Sequence, residues 1–123
     1  MRKLLVALTF VTLALMMTAC STRASRENAD IARQALEIVD PFLFRPSPDP
    51  DTTYRRIAAL PSINAAPTGN SRQDEANAAL RSYMNSLQSA ISVTRHSYSA
   101  ETRQAVLAVR NQIASEIGVR TRR

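Results

Sequence analysis

All six prolines of this 123-residue chain fall between positions 41 and 70, at Pro41, Pro46, Pro48, Pro50, Pro61 and Pro67. Gly69 lies in the same stretch, and no glycine or proline occurs between Ser71 and Ile117. Proline lacks a backbone N–H and holds φ near one value, so regular structure is interrupted where prolines crowd and unhindered on either side. The chain is thereby divided into an early helix-permitting segment, an irregular crossover at 41–70, and a long helix-permitting segment after it.

Apolar spacing fills in those segments. From Arg23 to Asp40, the residues Ile31, Ala35, Ile38 and Phe42 recur every three or four positions, with Leu36 and Val39 beside them. This pattern predicts a helix that Pro41 stops, because the residue before proline disfavours helical geometry. Ser71, with Asp74 three residues on and Glu75 after it, resembles a helix-opening capping box. Ala76, Leu80, Tyr83, Leu87, Ala90 and Thr94 then form a heptad-like seam, with Met84 and Ile91 alongside. The seam calls next for apolar residues at Ser97 and Glu101 and fails at both, whereas Val106, Val109, Ile113 and Ile117 resume in another register. Two helices joined at Ser97–Ser99 account for the shift better than one rod, and Gly118 suits the final helix C-cap. Within the crossover, Asp51 to Leu60 predicts a short helix capped by Asp51 or Thr52, with Tyr54, Ile57 and Ala58 turned inward. No period-two strand pattern is present. The expectation is an all-α fold: a helical hairpin or three-helix arrangement with a proline-rich crossover at 41–70, in one small domain spanning 20–123.

The first residues are of a different kind. Arg2 and Lys3 precede an apolar run from Leu4 to Met17, broken only by two threonines, and Thr18, Ala19 and Cys20 close it with small residues. The run is shorter than the ~20 apolar residues that span a bilayer, and its n-region and small-residue end are those of a signal peptide, here 1–19. The closure resembles the lipobox of bacterial lipoproteins, in which the precursor is cut before a cysteine that becomes acylated. That resemblance implies lipidation of Cys20, anchorage without a spanning segment, and a place in the cell envelope. Ser21 in the following position favours the outer membrane, facing the periplasm. Cys20 is the only cysteine, so no disulfide is available and a thioether to lipid would remove a lone thiol from an oxidising compartment.

After position 19 the chain has fourteen arginines, no lysine and ten acidic residues, a net charge of about +4. The arginines are dispersed, and Arg26 with Asp30 and Arg33 with Glu37 stand at helical pairing distance. A basic stripe interleaved with aromatics is lacking, so nucleic acid is not an expected partner. The lack of lysine also excludes covalent attachment to a cell wall through a C-terminal lysine amine.

Catalytic sets are equally sparse. His96 is the only histidine, and it falls in the predicted turn among common serines. Asp74 and Glu75 are the obvious carboxylate pair, but acids in a helix first turn serve the dipole. No metal-ligand set and no glycine-rich phosphate loop is present, so neither a metal nor a cofactor is expected. The remaining candidate is Phe42, Leu43 and Phe44 between Pro41 and Pro46, where aromatics held between prolines lose little entropy on docking to a partner. The alternative is that they cover the hairpin's apolar seam. Together these features predict a non-catalytic, membrane-anchored accessory or structural binding protein of the envelope with a protein partner. The other candidates are an inhibitor or exclusion-type lipoprotein, a pilotin-like or spanin-like partner, and a cell-wall hydrolase.

Overall fold

The computed structural model describes residues 24–45 and 48–122. The signal segment and Cys20 lie outside the described residues. Four helices follow one another: α1 (Arg26–Phe44), α2 (Pro50–Ala58), α3 (Ser71–His96) and α4 (Ala100–Glu116), with no strand among the described residues. The fold is all-α, as the sequence predicts. The short α2 inside the crossover makes the arrangement a small four-helix bundle.

Helices α3 and α4 form the expected hairpin. Ser97 caps the end of α3, and Ser99 opens α4 through a reciprocal capping box with Thr102. The Ser99 hydroxyl accepts from the Thr102 N–H at 3.1 Å, and the Ser99 N–H donates to the Thr102 hydroxyl at 2.9 Å. Seryl and threonyl side chains thus satisfy donors that a continuing helix would have paired, which is why the chain turns here. Gly118, at φ 73°, ends α4, with the Val119 N–H donating to the Ala114 carbonyl at 2.8 Å. This is the six-to-one bond that a left-handed glycine permits.

The core is built from Leu80, Leu87 and Ile91 of α3, Val106 and Ile113 of α4, and Val39 of α1, all fully buried. The seams read from the sequence face inward. On α1 the buried stripe is rotated from the predicted one: Ala32, Ala35, Leu36 and Val39 are buried, while Ile31 and Ile38 sit at its edge. Small alanines let α1 lie close against its neighbours.

Four sequence expectations need correction. Pro41 does not stop α1, which runs on to Phe44. Proline forfeits one helical hydrogen bond there, and the burial of Phe42 and Leu43, each 3% exposed, offsets that loss. Helix α2 starts at Pro50, capped by Asp49 rather than Asp51 or Thr52, because proline suits the first helical position. On this helix Thr53 is buried with Ile57, whereas Ala58 is exposed. Finally, α3 is capped by Asn70, whose side chain accepts from the Gln73 N–H at 3.2 Å, so Ser71 is its first residue and not its cap. The Asp74 carboxylate instead accepts from the Thr68 N–H and hydroxyl at 2.8 and 2.7 Å, fastening the end of the crossover.

Candidate functional site

Two buried asparagines position the crossover and the start of the domain. Asn28, 1% exposed, donates to the Asn64 carbonyl at 2.8 Å and accepts from the Asn64 N–H at 3.0 Å. One carboxamide thereby satisfies both main-chain groups of a residue in an irregular segment, as a neighbouring strand would. Asn77 of α3 accepts from the Ser25 N–H at 3.0 Å, which ties the first turn of α1 to the beginning of α3.

At the other end of the bundle, the side chains picked out from the sequence come into view. Phe42 and Leu43 are in the core, and the Phe42 ring meets Tyr98 edge-on with centroids 5.8 Å apart. They cover the hairpin seam and are not presented to a partner. Phe44 is half-buried beneath two guanidinium groups, Arg122 at 4.8 Å and Arg103 at 5.9 Å from its ring centre. Arg103 also donates from Nε to the Leu43 carbonyl at 3.1 Å, supplying a cation at the C-terminus of α1, where α1 itself has none. The Phe42–Phe44 segment is therefore occupied by intramolecular contacts.

Arg110 is the one buried charged residue among those described. Its Nε and Nη2 grip both oxygens of Asp40 at 2.8 and 3.2 Å, and Nη1 donates to the Arg120 carbonyl at 2.9 Å. The neighbouring Asn111 holds the Arg122 main chain through both N–H and carbonyl, at 2.9 and 2.6 Å. The tail after α4 is thus folded back toward Phe44. Neither expected pair on α1 forms; Arg33 instead meets Asp30 at 2.7 Å on an exposed surface, where such a pair adds little stability.

Among the described residues, His96 and the Asp74–Glu75 pair stand at opposite ends of α3. His96 is in the last turn of α3 and Asp74 in its first, about 33 Å apart along the axis. Asp74 is engaged by Thr68, and Glu75 is exposed. No group of three or more metal-ligating side chains occurs among the described residues. One perturbed carboxylate is present: the hydroxyl and N–H of Thr52 hold the Asp49 carboxyl below its ordinary range. It is fully exposed and serves as a helix cap.

The surface feature that sequence reasoning missed is a trough between α2 and α3. One hollow of about 380 Å³ is bounded by Ile57, the Pro61–Ala66 segment, Arg81 and Met84. A second, beside Tyr54 and Ser92, adjoins the first at Asn85 and Gln88. Asn85 and Gln88 sit off the apolar seam and read in the sequence as solvated positions. Only the packing of α2 and the crossover against α3 turns that helix face into a wall. Compared with known proteins, the chain matches no family model, no curated protein and no solved structure.

Proposed function

We propose that this chain is a non-catalytic lipoprotein of the cell envelope, acylated at Cys20, anchored in the outer membrane facing the periplasm, and acting through a protein partner. The observation that carries the proposal is the Met1–Ser21 segment, in which the only cysteine of the chain stands where the apolar run ends. Among the described residues no helix is long and apolar enough to cross a membrane. The engagement of Asp74 by the Thr68 N–H and hydroxyl, a structural fastening, supports a role in binding rather than catalysis.

Anchorage would also orient the bundle. Ser21–Ala24 alone separate Cys20 from the α1 cap Ser25, a span of at most about 18 Å. The ends of α1 and α3 joined by Asn77 would then lie near the membrane, and the Phe44–Arg103 end would face away. Replacing Cys20 with alanine tests the proposal directly. The expected outcome is loss of incorporated radiolabelled palmitate from the protein in growing cells; equal labelling of the parent and Cys20→Ala chains, or labelling of neither, refutes lipid anchorage.

A further inference from the structure

Among the described residues, four arginines stack on an aromatic ring or lie in the core: Arg95, Arg103, Arg110 and Arg122. Two of them are completed by a carboxylate from within the chain. Arg110 grips both oxygens of Asp40, and Arg95, stacked on Tyr54 at 4.4 Å, donates from Nε to Asp51 at 2.8 Å. The other two share the Phe44 ring, Arg122 at 4.8 Å and Arg103 at 5.9 Å from its centre. No carboxylate of a described residue forms an ion pair with either.

Both cations are held in place. Arg103 spends Nε and Nη2 on the Leu43 carbonyl, and its Nη1 has no acceptor among the described residues. Arg122 is positioned through its main chain, which Asn111 holds by both N–H and carbonyl, and its guanidinium meets Phe44 without a hydrogen bond to a described residue. The ring attracts the two cations through its quadrupole and neutralises neither. The acids nearby are committed elsewhere, Asp40 to Arg110 and Asp49 to the cap of α2. Glu101 is two residues from Arg103, a spacing at which helical side chains do not face each other. Arg45, exposed beside Phe44, adds a third positive charge, and Tyr98 at this end is 46% exposed.

We propose that Arg103 and Arg122, resting on Phe44, dock an acidic segment of a protein partner, whose aspartate or glutamate pairs with them as Asp40 and Asp51 pair with Arg110 and Arg95. Guanidinium groups bind carboxylates through paired, charge-assisted hydrogen bonds, and arginine and tyrosine are the residues that concentrate binding energy at interfaces. A lipid headgroup is the poorer occupant, because anchorage at Cys20 turns this end of the bundle away from the membrane. The proposal rests on the protein-binding role proposed above and identifies the chemistry of the partner.

The probe is a labelled aspartate-rich peptide with both termini blocked, titrated against the full chain in mild nonionic detergent and followed by fluorescence anisotropy. The aspartate peptide is expected to bind and its asparagine counterpart to fail. Arg103→Gln and Arg122→Gln each weaken binding about tenfold. Arg72→Gln and Arg81→Gln remove the same charge from exposed positions on α3 and leave binding unchanged. Arg122 is exposed and its main-chain bonds survive substitution, so its variant keeps the test open if loss of the Arg103 contact to Leu43 unfolds the chain. No binding of the aspartate peptide, or equal weakening by the α3 substitutions, overturns the proposal. Displacement of the peptide by phosphatidylglycerol mixed into the micelles overturns it in favour of a lipid headgroup. Palmitate labelling is independent of these results: a chain that binds the peptide without labelling loses the anchor alone, and a labelled chain that binds no peptide loses this site alone.

Discussion

Asp40→Ala leaves Arg110, whose side chain is 3% exposed, as a buried cation without its carboxylate. Loss of one partner of a buried pair costs about 3–5 kcal/mol, so this variant should unfold at much lower urea concentration than the parent. Asp40→Ala combined with Arg110→Leu should recover part of that loss, because the uncompensated charge has gone. A double variant no more stable than Asp40→Ala would show that the ion pair is not the source of the effect. Asp49 behaves differently, since it is exposed and its carboxyl is held low by Thr52. A carboxylate with a depressed value when folded stabilises above its ordinary range, and the contribution disappears as pH falls through the depressed value. The Thr52 amide signal should therefore report fraying of α2 on acidification below about pH 4, and Asp49→Asn, which caps without titrating, should flatten that response.

Among the elements, the turn between α3 and α4 depends on a pair of hydroxyls. Ser99→Ala removes the cap of α4 and should lower stability by about 1 kcal/mol in urea denaturation, with helix content retained. This hairpin was legible in the sequence because a register break at Ser97–Ser99 and a glycine at position 118 each have a local cause. The extension of α1 through Pro41 was not, because its compensation comes from the packing of Phe42 and from Arg103, sixty residues on in the chain. Asn28 and Asn77 were hidden for a related reason: polar residues in a helix read as solvated until a distant main chain is found against them. The capping residues Asp49 and Asn70 each lie within two positions of the predicted ones, since several neighbouring side chains were chemically able to cap. The trough was invisible for want of any local signal, as its two walls are separate elements brought together by the fold.

For the whole molecule, the core is shared by α1, α3 and α4, with α2 packed on α1 and α3. Leu80 is fully buried at its centre, and Leu80→Ala should cost about 2–5 kcal/mol. Because one core serves every helix, far-ultraviolet circular dichroism and tyrosine fluorescence should lose signal in a single coincident transition. Separate transitions would mean that the hairpin and α1 are independent units. The Asp40–Arg110 clasp has a consequence in time as well. Helix α1 is the first helix to emerge, yet the cation that its carboxylate needs arrives with α4, seventy residues later. Local contacts let α3 and α4 pair as soon as both exist, while α1 must wait for them. Completion of this domain is thereby deferred until Arg110 has emerged, and a chain truncated short of Arg110 should remain open to proteases and chaperones.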